Sequence, residues 1–253
     1  MQLAGKKGLV VGIANDSSIA YGCAEAFRAT GAELAITYLN ARAEPYVRPL
    51  AERLESEIIL PCDVQQPGEL EAVYAAIAAT WGKLDFVLHS VAYAPQADLH
   101  ARVVDCSQQG FAMAMDVSCH SFIRMARMAE PLMTEGGCLL TVSFYGAEKV
   151  VDDYNLMGPV KAALESSVRY LAAELGGKRI RVNALSPGPL KTRAASGIGH
   201  FDDMLEHARA RTPEHRLVQI RDVGNFATFL VSDAAAAVTG NIEYVDAGYH
   251  MFA

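Results

Sequence analysis

Tyr154 and Lys161 are the residues whose types and spacing most directly suggest chemistry. Seven residues at about 100° each return to nearly the same face of a helix, so the spacing predicts two side chains pointing the same way, about two turns apart. A lysine ammonium beside a phenol favours the phenolate and can hold the hydroxyls of a ribose. The tyrosine can then donate to an oxyanion that develops in a transition state. Such a pair is common on helices, so its setting decides between chemistry and coincidence. Val160, Leu164, Val168, Leu171 and Leu175 form the apolar stripe of a helix opening at Tyr154, and Cys138–Ser143 reads as a strand ending just before it.

The rest of the chain supplies the frame that must position this pair. Short runs rich in Val, Ile and Leu recur at Gly8–Ile13, Glu33–Tyr38, Glu57–Leu60, Leu84–His89, Cys138–Val142, Ile180–Leu185 and Ile242–Val245. They suit buried parallel strands. Segments of helical period lie between them, including a long helix over 108–133. This alternation predicts one α/β domain over residues 1–253, a Rossmann-type doubly wound parallel sheet of about seven strands with helices on both faces. Ligands of such sheets bind at the carboxyl ends of the strands, which is where Tyr154 and Lys161 follow one.

The first strand runs into Gly12-Ile13-Ala14-Asn15-Asp16-Ser17-Ser18-Ile19-Ala20-Tyr21-Gly22. A phosphate-binding turn needs glycine where the backbone bends sharply or approaches a pyrophosphate, and it opens onto a helix whose free N–H groups face the anion. Gly12 and Gly22 can fill the bend and packing roles. The middle glycine of G-x-G-x-x-G is missing, so a plain strand-to-helix loop competes with this reading. Asp63-Val64 ends the third strand, where a carboxylate can accept from an adenine amino group or simply cap the next helix. Leu39 ends the second strand, where an NAD enzyme often carries an acid and an NADP enzyme a base. Leu39 is neither. NADH is the expected cofactor, with NADPH left open because Arg42 lies close by in sequence.

Of the residues, 51% are apolar and 20% charged, so the chain has the composition of a folded domain. The formal charge of −7 argues against a nucleic-acid or anionic-membrane partner. The apolar stretch after Lys7 is too short to span a bilayer and lacks a small-residue cleavage site. Five cysteines without tight pairing or metal-like spacing fit a reducing compartment. A cytoplasmic protein without a bound metal is expected.

The sequence resembles the NADH-dependent enoyl-acyl carrier protein reductases of the short-chain dehydrogenase/reductase superfamily. The resemblance covers almost the whole chain: the glycine turn with Ser18-Ile19-Ala20, then Cys62-Asp63-Val64 and His89-Ser90-Val91-Ala92-Tyr93-Ala94-Pro95. It continues through Tyr154-Asn155-Leu156-Met157-Gly158 with Lys161, Arg181-Val182-Asn183-Ala184, and Gly188-Pro189-Leu190-Lys191-Thr192-Arg193-Ala194-Ala195-Ser196-Gly197. Its specific part is the gap of six residues between Tyr154 and Lys161. Most of the superfamily has three there and acts on alcohols and ketones.

The resemblance implies that Gly12, Ser18 and Ile19 hold ribose and pyrophosphate, that Asp63 and Val64 hold the adenine with Val91 at the nearby backbone, and that Leu39 stands where a polar residue commonly contacts the adenosine. It also implies that Lys161 binds the nicotinamide ribose and that Leu190, Lys191, Thr192, Arg193 and Ala194 bind the carboxamide and pyrophosphate. Ala94, Phe144, Tyr154 and Met157 would face an enoyl thioester, carried on acyl carrier protein or coenzyme A, in fatty acid biosynthesis. A homotetramer built on helices 108–133 and 154–175 and a substrate lid over 193–211 are further expectations. Lys191, Arg193, Arg209 and Arg211 could meet an acidic carrier protein. The sequence departs from the family's pattern at Phe144, where a second tyrosine is usual, at Ala92, at Leu39 and at Val245-Asp246-Ala247-Gly248. Tyr145 adjoins Phe144, but a shift of one residue at a strand end points a side chain the other way. Reduction of a carbonyl on the same fold, and a regulatory protein that senses nicotinamide without turnover, are the two alternative functions.

Overall fold

The computed structural model of the protein describes residues 2–192 and 201–252. Its strands are β1 (Lys7–Val11), β2 (Glu33–Tyr38), β3 (Ile58–Pro61), β4 (Phe86–His89), β5 (Gly137–Val142), β6 (Ile180–Pro187) and β7 (Ile242–Val245). They form one parallel sheet in the order β3-β2-β1-β4-β5-β6-β7. The helices are α1 (Ile19–Ala29), α2 (Glu44–Arg53), α3 (Glu69–Trp81), α4 (Gln96–Leu99), α5 (Gln108–Met115), α6 (Ser121–Ala129), α7 (Met157–Leu175), α8 (Phe201–Arg211) and α9 (Ile220–Val231). The doubly wound α/β expectation and all seven strands hold, with ends displaced by a residue or two.

Parallel strands are buried on both faces, and alternate residues serve opposite layers. Leu9, Val87 and Leu139 pack on the side of α3, α6 and α7, with Phe122 and Leu164. Val10, Leu88 and Leu140 pack on the side of α1, α2 and α9, with Phe27 and Val223. Within the second layer α1 and α9 approach closely, and a Cβ on Gly224 would lie 2.3 Å from the carbonyl oxygen of Gly22. Gly22 therefore has a packing role, and its partner is a helix.

Two expectations fail in instructive ways. The helix expected over 108–133 is interrupted by a π-helical turn at Asp116–His120. Beside that turn Ser121 Oγ donates to the Val117 carbonyl at 2.6 Å, while Ser118 Oγ bonds both the N–H and the carbonyl of Tyr93. Hydroxyls that bind backbone in this way are invisible to apolar periodicity. The helix expected from Tyr154 begins at Met157. Asp153 and Asn155 have φ of 60° and 40°. That left-handed backbone cannot belong to a right-handed helix, and Asp and Asn are the side chains that tolerate it best. Tyr154 therefore stands in a turn, and the argument from helical phase does not apply to it.

Candidate active site

The carboxyl ends of β1, β4, β5 and β6 form one rim, at the place where the sheet order reverses between β1 and β4. Gly12 leaves β1 with φ of 112°, and a Cβ there would lie 2.1 Å from the Ser90 carbonyl oxygen at the end of β4. Only glycine fits this crossing. Ser18 Oγ accepts from the amides of Ala14 and Asn15 at 3.0 and 3.1 Å, which closes the turn on itself. Ile19 and Ala20 follow as the first residues of α1, whose amides have no carbonyl in their own helix to bind. A sharp glycine crossing beneath open helix amides fits a pyrophosphate.

The residues expected around the adenosine lie along the same rim. Asp63 Oδ1 accepts from the Gln65 amide at 2.9 Å, so the acid does cap its own turn. Val64 is buried, and its carbonyl accepts from Arg124 Nη2 at 2.7 Å. Leu39 is exposed just past β2, and Val91 is half-buried past β4. Beyond β6, Leu190 is buried in the core, Lys191 is exposed, and the Thr192 amide donates to the Leu190 carbonyl at 2.8 Å. Arg193 and Ala194 lie outside the described residues.

Lys161 is 5% exposed, and its ammonium donates to the Val142 carbonyl at the end of β5, at 2.7 Å. An ammonium has three N–H donors, so two remain for the hydroxyls of a bound sugar. Burial draws its pKa down to about 8, against the opposing pull of the Glu165 carboxylate. Tyr154 is buried as well. Its ring lies 4.9 Å from that of Phe144, and it shares an apolar cluster with Ala94, Met157 and Leu156. The structure thus brings Ala94, Phe144, Tyr154 and Met157 together. Burial, with the negative charge of Glu165, holds Tyr154 well above the ordinary tyrosine range. The lysine was expected to favour the phenolate, with the tyrosine donating to an oxyanion. Burial and the Glu165 charge push the other way, toward the neutral phenol, the form that donates to an oxygen developing charge.

Tyr145 turns away from this cluster, as the strand-end argument requires. Its ring packs 5.8 Å from that of Tyr249, beside Ala208 of α8, and among the described residues its hydroxyl has no partner. Tyr145→Phe is therefore expected to leave turnover within about twofold of wild type. A buried hydroxyl without a partner costs about 1 kcal/mol or more, so Tm should be equal or higher. Steady-state kinetics and thermal unfolding check both, and a large loss of turnover would mean that Tyr145 serves the site.

His89, at the end of β4, is fully buried between Thr141 Oγ1 and Ser121 Oγ, each at 2.8 Å. Ser121 already donates to Val117, so the ring donates from Nε2 and accepts from Thr141 at Nδ1. Burial and the nearby Lys161 charge hold its pKa down to about 3, which makes it a neutral structural residue. The residues that sequence reasoning missed are Ser143 and Glu165. Ser143 Oγ donates to Glu165 Oε1 at 2.6 Å. The available signal was a carboxylate four residues after Lys161, one turn along the same helix face.

Residues 12–250 match the family model described as enoyl-(acyl carrier protein) reductase. The chain belongs to that family. It is 46% identical over 246 residues to an enoyl-acyl-carrier-protein reductase (NADH) of Rhizobium meliloti, which covers 97% of this chain and 90% of the relative. A crystal structure of the reductase from Anaplasma phagocytophilum in complex with NAD is 47% identical, with a TM-score of 0.95, covering 99% of this chain and 96% of that one. A Bacillus cereus enoyl-acyl carrier protein reductase with NADP+ and an indole naphthyridinone is 44% identical, with a TM-score of 0.97 and full coverage of both chains.

Proposed function

We propose that the protein reduces the 2,3 double bond of a trans-2-enoyl thioester carried on acyl carrier protein, with NADH as reductant, in fatty acid biosynthesis. The observation that carries this reading is the buried Tyr154 side chain, set in an apolar wall of Ala94, Phe144 and Met157 at the rim that holds Lys161 and the Gly12 turn. That wall suits an acyl chain, and the phenol suits a thioester oxygen.

NADH, when bound, supplies hydride to the β-carbon of the enoyl group. Gly12, Ser18 and Ile19 hold its pyrophosphate and ribose, Asp63 and Val64 the adenine, and Leu190 to Ala194 the carboxamide. Lys161 holds the nicotinamide ribose through the N–H groups not given to Val142. Tyr154 donates a hydrogen bond to the thioester oxygen as negative charge gathers there, before the α-carbon takes up a proton. Such a donor stabilises the transition state more than the ground state.

The decisive assay offers the purified protein crotonyl and acetoacetyl thioesters in separate reactions. NADH should be oxidised with the crotonyl ester and not with the acetoacetyl ester. The reverse would establish carbonyl reduction, and cofactor binding with neither substrate turned over would establish a sensor. Running the assay with NADPH tests the cofactor, which Leu39 at the end of β2 does not specify.

The reading extends to assembly and location. The chain acts as one domain over 1–253. The lid proposed over 193–211 lies, for residues 193–200, outside the described residues. Lys191 and the α8 residues Arg209 and Arg211 meet an acidic carrier, together with Arg193. Four copies associate through 108–133 and α7, a reading supported by the exposed apolar side chains of Phe111, Ile123 and Tyr170. Among the described residues no helix is long and apolar enough to cross a membrane. The cytoplasm is the proposed location, supported by cysteine use that fits a reducing compartment.

A further inference from the structure

Lys161 and Glu165 lie one turn apart on α7, and each is tied to the end of β5 by consecutive residues. Lys161 donates to the Val142 carbonyl at 2.7 Å, and Glu165 accepts from the Ser143 hydroxyl at 2.6 Å. Both anchors are short and bind consecutive residues at one strand end, so the two side chains are fixed at neighbouring points and the carboxylate acts on the ammonium through space, without direct contact. Lys161 is almost wholly buried, and an unpaired charge in such a place is expensive. We propose that Glu165 is a positioning residue that keeps Lys161 as an ammonium, through a carboxylate fixed by Ser143, and so extends the pH range over which Lys161 grips the nicotinamide ribose.

The surrounding charges allow this assignment. Facing Glu165 are Lys161 and Arg169 from α7, Ser143 from the end of β5, and Glu148 from the segment after it. Glu165 in turn acts on Tyr154 and on Tyr244 of β7. Tyr244 donates to Glu148, and the carboxylate that acts on Lys161 is that of Glu165. Lys161 is also near Cys119 of the π turn and His89 of β4, and His89 is neutral. Glu165 is the carboxylate that supports the charge on Lys161. Burial lowers the Lys161 pKa and Glu165 raises it, so Lys161 is charged below about pH 8 and loses its proton above it. Removing the carboxylate charge must move that loss to lower pH.

The proposal rests on the reading that Lys161 holds the nicotinamide ribose, and the test separates the two. NADH fluorescence titrations give Kd in the binary complex from about pH 6 to about pH 10 for wild type, E165Q, E165D and K161A. Wild-type affinity should fall on the alkaline side, E165Q should bind as wild type at the acid end with its fall displaced by about one pH unit to lower pH, and E165D should restore the wild-type profile. Near pH 8 the displacement is read as a Kd several-fold higher in E165Q. The Gln side chain keeps an acceptor for Ser143, so a mere packing role predicts no displacement. S143A, which frees the carboxylate, serves if E165Q does not fold and should shift the profile the same way by less. Coincident profiles for wild type and these variants, with K161A weakened, would overturn the role of Glu165 alone. K161A binding NADH as tightly as wild type would overturn the ribose reading itself.

Discussion

Tyr154→Phe is expected to lower kcat with a crotonyl thioester by about 10²-fold or more, while NADH affinity stays near that of wild type. The phenyl ring keeps its contact with Phe144 and its place among Ala94, Leu156 and Met157, so the apolar wall survives the change. What is lost is one O–H, held protonated by burial and by the Glu165 charge. A donor that strengthens its bond only as charge develops affects kcat and kcat/KM together and leaves binding alone. Steady-state kinetics beside a cofactor titration measure that split. Turnover at the wild-type rate would show that the oxyanion is met by another group.

Lys161→Ala is expected to weaken NADH binding by about 10- to 100-fold, on the scale of one lost charge-assisted contact. The loss has two sources. The ammonium no longer reaches the ribose, and the Val142 carbonyl at the end of β5 loses its donor. Lys161→Met fills the volume of the stem without the charge, so equal losses in the Ala and Met variants would assign the effect to the ammonium. A Kd unchanged in both would remove Lys161 from the cofactor site.

The parallel sheet was legible because buried strands announce themselves as apolar runs, and β2 and β7 fall within the runs read from sequence. The grouping of the candidate residues was legible too: Gly12 at the crossing with Ser90, and Ala94, Phe144 and Met157 around Tyr154. What escaped was set by backbone and hydroxyl geometry. The left-handed Asp153 and Asn155, which delay α7, carry no mark in a hydrophobic pattern. The π turn at Asp116–His120 sits where Ser118 and Ser121 bind carbonyls. Glu165 escaped because a carboxylate one turn from a lysine looks like any solvated helix pair, and only the 2.6 Å bond from Ser143 distinguishes it.

The turn that carries Tyr154 ahead of α7 means that the two proposed working side chains are located by different mechanical parts. Lys161 moves with a nineteen-residue rod packed on the sheet. Tyr154 moves with a short knuckle pinned by Asn155 Nδ2 to the Leu99 carbonyl at 3.0 Å. Loosening the knuckle would disable the phenol while the rod and its grip stay sound, so damage to chemistry and damage to fold can arise separately in this chain.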